Sequence, residues 1–157
     1  MHTRNFLYFC GKQTCMNKEL IRNVIVENQQ YIQSVDLIKR NLAIEDNGCY
    51  VFVGVRQAGK SYMLIQRAQQ LINEGVSIEQ IVYINFDDER LENAKSSDLN
   101  TILEALYIIY GDFDYLLLDE VQNVDGWPLF VNRLLRQNMH LIVTGSNAKL
   151  LSNELTT

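Results

Sequence analysis

The sequence has 157 residues, of which 47% are hydrophobic and 21% are charged. These proportions are typical of a globular protein with one full hydrophobic core, so we expect one compact domain. The formal net charge of -5 excludes a broad basic surface, and we therefore expect no nucleic-acid partner for this segment. No apolar stretch reaches the roughly 20 residues that span a bilayer, which predicts no membrane partner.

The cysteines and histidines do not form a metal-binding or disulfide pattern. Cys10, Cys15 and Cys49 make no CxxC pair, and His2 and His140 lie far from them in the sequence. We therefore expect neither a zinc site nor a disulfide framework. Reduced cysteines without a signal-peptide core predict a cytoplasmic location.

The N-terminal part divides at about residue 17. Residues 1–16 show no clean periodicity and are predicted to be a loose extension, whereas 17–35 are predicted to form a helix with Asn17 as its N-cap. The apolar positions that form the helical stripe are Leu20, Ile21, Val24, Ile25, Tyr31 and Ile32.

Four short apolar runs follow, and they are continuous rather than alternating. This pattern is typical of strands buried on both faces of a parallel sheet. The runs are CYVFV at 49–53, IVYINF at 81–86, YLLLD at 115–119 and HLIVTG at 140–145.

Helical patterns fill the gaps between these runs. The first ends near Gly75, the second is predicted to begin with Ser97 or Asp98 as its N-cap, and the third opens at Pro128. Strands that alternate with helices predict right-handed βαβ units in an α/β fold with a parallel sheet of about four strands.

The segment GVRQAGKS at 54–61 follows the first predicted strand and precedes a helix, as a phosphate-binding loop does. Gly54 and Gly59 are expected to let the backbone curl so that its N–H groups point at a phosphate. Lys60 would bind the β and γ phosphates, and the Ser61 hydroxyl would bind Mg²⁺. The alternative is a structural turn, which the flanking strand and helix disfavour.

The other residues of this loop are further candidates for nucleotide contact. Val55 and Ala58 supply backbone N–H groups, whereas Arg56 and Gln57 would contact phosphate or a neighbouring subunit, or else face water. Tyr62 would either pack near the base or lie on the helix surface or in the core.

Two further strand ends carry polar groups. FDYLLLDE at 113–120 ends in Asp119, a candidate ligand for the hydration shell of Mg²⁺, and Glu120, a candidate base for an attacking water. HLIVTGSN at 140–147 places Thr144, Ser146 or Asn147 near the same edge of a parallel sheet. Exposed acids at a strand end and an ordinary turn are the respective alternatives.

With these motifs in order, the sequence resembles prokaryotic P-loop ATPases of the AAA+ superfamily, in the group called the AAA_14 type. The resemblance covers the sequence from about Met16 to the end. The stretches that match are GVRQAGKS, YINFDDERL, LLLDEVQNVDGWPLFVNRLL and LIVTGSNAKLLSNELTT. DEVQNVDGW and TGSNAKLLS are more specific than the Walker A and Walker B patterns themselves.

The resemblance implies a three-layer P-loop NTPase sandwich over 48–157, with ATP and Mg²⁺ as cofactors. It implies that Lys60 and Ser61 bind phosphate and metal, and that the Asp119–Glu120 pair serves metal and water. Ser146 or Asn147 would be the sensor. It also implies that the strands at 115–119 and 140–145 lie between the other two.

Relatives continue beyond the position of Thr157 into a Gly-Arg pair, a fifth core strand and a C-terminal domain. The sequence is therefore expected to be C-terminally truncated within its 17–157 ATPase domain, with the fifth core strand missing. No arginine finger can be assigned. The strand at 49–53 would be left at an edge of the sheet, where self-association is a risk.

The function predicted from these observations is Mg²⁺-dependent hydrolysis of ATP to ADP and phosphate. The alternative is a non-catalytic, nucleotide-gated binding module or an inactive fragment, whose partner would be another copy or an unknown protein. A small-molecule kinase is disfavoured because Glu120 suits the activation of water.

Overall fold

The computed structural model describes residues 17–38, 41, 44, 49–55, 57–92 and 94–146. The predicted N-terminal extension at 1–16, Arg56 of the phosphate loop, and residues 147–157 lie outside the described residues. The division into an extension and a 17–157 domain therefore stays a prediction.

The described residues form a sheet of four parallel strands in the order β1-β4-β3-β2. The strands are β1 Tyr50–Val53, β2 Ile81–Asn85, β3 Tyr115–Asp119 and β4 His140–Gly145. The predicted runs at 49–53 and 81–86 are each one residue longer than the strand observed. Both the predicted strand number and the central position of β3 and β4 are confirmed, and β1 lies at one end of this order.

The described residues also contain four α-helices and three single turns of 3₁₀-helix. The helices are α1 Lys18–Ser34, α2 Lys60–Asn73, α3 Ser96–Tyr110 and α4 Trp127–Leu135, and the turns are Ile78–Gln80, Glu89–Leu91 and Val121–Asn123. No helix in this part of the chain is both long and apolar enough to cross a bilayer.

Local hydrogen bonds explain where α1 and α3 begin. The Asn17 side chain accepts a hydrogen bond of 3.0 Å from the Glu19 N–H, as expected of an N-cap. The predicted N-cap of α3 was wrong, because Lys95 occupies that position and the Asp98 carboxylate accepts the Lys95 N–H at 2.8 Å. Asp98 therefore stabilises the first turn from inside the helix.

The sheet is covered on both faces, which makes a three-layer sandwich. One cluster of buried residues joins one face of the sheet to α1, α3 and α4, and the other joins the opposite face mainly to α2. In β3, Leu116 and Leu118 belong to the first cluster and Leu117 to the second. This alternation buries both faces of a continuous apolar strand, as the sequence predicts.

Amide side chains of α1 occupy the outer edge of β2. Asn28 Nδ2 donates to the Tyr83 carbonyl at 3.1 Å, and Gln29 Nε2 donates to the Ile78 carbonyl at 3.1 Å and to that of Ile81 at 3.5 Å. Gln29 Oε1 also accepts from the Tyr110 hydroxyl at 3.0 Å. These bonds satisfy backbone carbonyls at an edge that would otherwise be open to pairing.

We expect Gln29→Ala to lower the free energy of unfolding by about 1 to 3 kcal/mol, because it leaves half-buried carbonyl and hydroxyl groups without a partner. The matched control is Gln30→Ala, at the exposed neighbouring position of α1, which should change it by less than about 0.5 kcal/mol. Urea unfolding measures both. Equal effects would contradict the role of Gln29.

Candidate functional site

The carboxyl ends of β1, β3 and β4 meet at one edge of the sheet, which is where parallel α/β proteins bind ligands. Val53 at the end of β1 pairs with Gly145 at the end of β4, and the Gly54 N–H lies 3.4 Å from the Gly145 carbonyl. The segment 54–59 then leads directly into α2. The phosphate-loop pattern therefore adjoins the TGS segment that follows β4.

The curl of this loop lies in its second half. Gly59 has φ 81° and ψ 24°, and Gln57 has φ 62°, so both occupy the left-handed region. Gly54 does not have a positive φ, and a Cβ added there would lie 3.8 Å from the Ala58 Cβ and from the Lys60 Cδ, in ordinary contact. Among the described loop residues the positive φ angles are therefore at Gln57 and Gly59 and not at Gly54, and a role of Gly54 in the approach of a phosphate stays a prediction.

Lys60 is the first residue of α2, and its side chain folds back across the loop. Its Nζ donates to the carbonyls of Gly54 and Val55, both at 3.0 Å, and lies 3.4 Å from Glu120 Oε1. The residue is only 6% exposed. A buried ammonium group requires such partners, and they hold one positive charge at the position where the pattern predicts a phosphate.

Ser61 and Tyr62 follow in the first turn of α2. Ser61 is half-buried, whereas Tyr62 is 53% exposed. The first turn of a helix presents N–H groups that have no partner within the helix, and the positive end of its dipole. These groups favour an anion beside Ser61.

Asp119, the last residue of β3, is completely buried. Its Oδ2 accepts a hydrogen bond of 2.9 Å from the Tyr83 hydroxyl, and its Oδ1 accepts one from the Thr144 hydroxyl. Burial and the adjacent Asp119 raise the pKa of Tyr83 above its ordinary value. Tyr83 therefore remains a hydrogen-bond donor at neutral pH.

Glu120 follows Asp119 in a left-handed conformation with φ 50°. Its N–H donates to Thr144 Oγ1 at 3.1 Å, and its Oε2 accepts from Gln122 Nε2 at 2.6 Å. Burial opposes ionisation of Glu120, but hydrogen bonds from Gln122 and Ser146 and the charge of Lys60 outweigh it, so its pKa lies below the ordinary value. Glu120 is consequently a carboxylate at neutral pH.

The segment that follows β4 is also joined to Glu120. Ser146 Oγ accepts a hydrogen bond of 3.1 Å from Gln122 Nε2, which links it to Glu120. Asn147, the other candidate sensor, lies outside the described residues. The structure therefore brings Lys60, Glu120 and Ser146 into one connected network, with Asp119 joined to it through Thr144.

Two residues of this network were not singled out in the sequence. Gln122 lies two positions after Glu120, and its amide joins Glu120 to Ser146. Tyr83 lies in the middle of β2, and only the pairing of β2 with β3 places it beside Asp119. A tyrosine within an otherwise apolar run was the signal that a buried hydroxyl needed a partner.

A cavity of about 320 Å³ opens beside the start of α2. Its lining combines apolar side chains with a carboxyl and an amide group, and it includes the segment that follows α1. The lining residues are Asp36, Leu37, Ile38, Tyr62, Met63 and Gln66.

Comparisons with known proteins give a family match and two similar proteins. Residues 46–157 match the family model AAA_14, described as an AAA domain. An uncharacterized protein of Methanocaldococcus jannaschii is 37% identical over 142 residues, which cover 89% of this chain and 31% of that protein. An uncharacterized protein of Haemophilus influenzae is 33% identical over 135 residues, 85% of this chain and 32% of that protein.

The chain therefore spans about a third of the length of these two curated relatives. No solved structure is significantly similar to it.

The two loop glycines should respond differently to substitution. Gly59→Ala forces a Cβ into the left-handed region and should lower the free energy of unfolding by about 1 to 2 kcal/mol. Gly54→Ala meets only ordinary contacts and should change it by less than about 0.5 kcal/mol. Urea unfolding of the two variants and the parent measures this; a larger loss for Gly54→Ala would refute the assignment of the curl.

The lowered pKa of Glu120 should appear in the pH dependence of stability. A carboxyl group whose pKa is lower in the folded state contributes stability above its ordinary pKa, and this is lost as the pH falls through the folded value. The stability advantage of the parent over Glu120→Gln should therefore shrink when the pH is lowered from 7 to below about 4. Urea unfolding across this range tests it, and a constant difference would contradict the lowered pKa.

Proposed function

Because the chain belongs to the AAA_14 family of AAA domains, we propose that it binds ATP with Mg²⁺ and hydrolyses the ATP to ADP and phosphate. The observation that carries the proposal is the position of the Lys60 ammonium group. It is buried within the curled loop and bonded there to two carbonyl groups and to Glu120. In the proposal, phosphate oxygens would replace some of these oxygen atoms as partners of Lys60.

Phosphate binding requires Lys60 to exchange these contacts. Phosphate oxygens would accept hydrogen bonds from its Nζ in place of the Gly54 and Val55 carbonyls. The N–H groups at the start of α2 would bind the same anion. Lys60, Ser61 and the backbone of 54–59 are the proposed phosphate ligands, with Arg56 a predicted contact outside the described residues.

The residues present fit a magnesium ion. Asp119 is a fully buried carboxyl group whose side-chain partners in the described part of the chain are hydroxyl groups, so no described basic side chain competes with a cation for it. Ser61 would supply a hydroxyl from the first turn of α2. Bound Mg²⁺ would neutralise phosphate charge, and Ser61 and Asp119 would hold it, Asp119 through its hydration shell.

Glu120 is proposed to take a proton from the attacking water. Its low pKa keeps it ionised, as a base must be, but in this structure it is paired with Lys60. When Lys60 moves to phosphate, the pair is broken and Glu120 is freed. Gln122 and Ser146 remain to orient it, and Asn147 stays a predicted sensor. Binding of phosphate would in this way activate the base.

The cavity beside α2 is the proposed site of the adenine base. Leu37, Ile38 and Met63 offer apolar surface, and the Tyr62 ring can stack on a purine. Asp36 and Gln66 lie at the same cavity and could accept or donate hydrogen bonds at its edge. Tyr62 is thus proposed to contact the base, while Ser61 before it contacts phosphate and metal.

The wider setting also remains proposed. We propose an unidentified protein partner or self-association for this domain, which covers about a third of the length of its relatives. The predicted cytoplasmic location stays a prediction.

Thermal unfolding tests nucleotide binding. With Mg²⁺-ATP at about a hundredfold its Kd, the parent should gain roughly 2.7 kcal/mol of stability and roughly 5 to 10 °C in Tm. Lys60→Ala should abolish this gain. Lys18→Ala, which removes an exposed lysine 3.8 Å from Glu104, should keep it. No gain in the parent, or an equal gain in Lys60→Ala, would disprove the proposed phosphate site.

Glu120→Gln should separate binding from hydrolysis. We expect phosphate release to fall by about 100-fold or more, because the general base is lost. The affinity for Mg²⁺-ATP should be equal or higher, because Lys60 no longer has to leave an ion pair. Calorimetry and a phosphate-release assay measure the two quantities, with Glu104→Gln as an exposed control. Unchanged turnover in Glu120→Gln would contradict the assignment of Glu120 as the general base.

ATP binding with no phosphate release in the parent would favour the alternative function, a nucleotide-gated binding module. The ion pair between Lys60 and Glu120 would then serve as a switch that nucleotide opens.

A further inference from the structure

Each oxygen of the Asp119 carboxyl group accepts a hydrogen bond from a neutral hydroxyl group. Tyr83 reaches its Oδ2 from β2, and Thr144 reaches its Oδ1 from β4. These hydroxyl groups come from the two strands on either side of β3. Together they restrict rotation of the Asp119 side chain. The plane of the group is thereby set by the sheet itself.

The chemical nature of these donors suits metal binding. A carboxylate has about four lone-pair positions, and two hydroxyl groups occupy two of them. In the described part of the chain the other positions receive no side-chain hydrogen bond, so under the proposed function they would accept from the water shell of a cation. A lysine or arginine in place of Tyr83 would cancel the charge that attracts the cation, whereas a hydroxyl orients the oxygen and leaves its charge in place.

Tyr83 is itself held rigidly. It is 4% exposed and belongs to the cluster of buried residues packed under α2. Its carbonyl is bound by Asn28 of α1, and its backbone pairs with Leu117 of β3. A phenylalanine would fill the same space, so the feature that a tyrosine adds at this position is the hydroxyl on Asp119.

Tyr83 and Thr144 differ in what else they touch. The Thr144 hydroxyl also accepts the N–H of Glu120, so a change there disturbs both acids. In the described part of the chain, the Tyr83 hydroxyl donates its hydrogen bond to Asp119. Tyr83 can therefore be changed without directly altering a contact of the proposed base.

We propose that Tyr83 is a positioning residue for the metal site: its hydroxyl orients the Asp119 carboxylate so that Mg²⁺ strengthens nucleotide binding. This role rests on the proposed function, because it assumes that Asp119 faces a magnesium ion bound with ATP. It assigns to β2, the strand farthest from the phosphate loop in the described sheet, an effect on metal affinity that acts through Asp119.

The test measures ATP binding by calorimetry in excess EDTA and over a range of Mg²⁺ concentrations. The proteins compared are the parent chain, Tyr83→Phe and Tyr110→Phe. Tyr110 provides the matched control, because its hydroxyl makes one hydrogen bond of 3.0 Å to Gln29, which lies on α1. Urea unfolding establishes that each variant is folded and how much stability it has lost.

Loss of an outer-shell partner of a metal site costs on the order of 10-fold in affinity or more. Tyr83→Phe should therefore bind metal-free ATP with the Kd of the parent, to within about twofold, but need on the order of 10-fold more Mg²⁺ to reach the tight-binding state. Tyr110→Phe should match the parent in both measurements.

Two outcomes overturn the role of Tyr83. The first is a parent-like magnesium dependence in Tyr83→Phe. The second is an equal loss of affinity with and without Mg²⁺, which would indicate a structural effect on the whole site. If the parent binds no ATP under either condition, the proposed function fails, and the role of Tyr83 fails with it.

Discussion

Parallel pairing on both sides of β3 places the acids of the site. Leu117 lies opposite Tyr83 of β2, and Leu118 lies opposite Val143 of β4. This register brings the Tyr83 and Thr144 hydroxyls to the two oxygens of Asp119. Because successive residues of a strand face opposite sides, a shift of one position would exchange the buried faces and separate these groups. Core packing and the geometry of the site thus depend on one register.

The second constraint is the burial of two opposite charges, those of Lys60 and Glu120, next to each other. The side chains of Lys60 and Glu120 are 6% and 14% exposed and lie 3.4 Å apart. Removing either charge from water is costly, so each needs compensating contacts, which the loop carbonyls and Gln122 provide. The same pair explains how a nucleotide would act. Under the proposed function, a phosphate that draws Lys60 away would change the surroundings of Glu120.

Amide side chains connect the N-terminal helix to this core. Asn28 and Gln29 bind carbonyls along the edge of β2, and Gln69 of α2 donates to the Ile32 and Val35 carbonyls, both at 2.8 Å, at the end of α1. The bonds from Gln69 satisfy carbonyl groups that the end of α1 leaves without partners. They also fix the direction in which the chain leaves α1, and the residues that follow line the cavity proposed for the base.

The sequence by itself determined the elements and their alternation, because strand burial and helix periodicity are local patterns. It also located the loop at 54–61 and the acids at the end of β3. The cap of α3 was wrongly predicted at Ser97 or Asp98, and the positive φ of Gln57 was not foreseen, because both features depend on backbone geometry that a residue type only favours. Only the tertiary structure placed Tyr83 beside Asp119 and Gln122 between Glu120 and Ser146. Those contacts depend on strand order and register. Gln122 and Ser146 lie 24 positions apart in the sequence, and Tyr83 and Asp119 lie 36 positions apart.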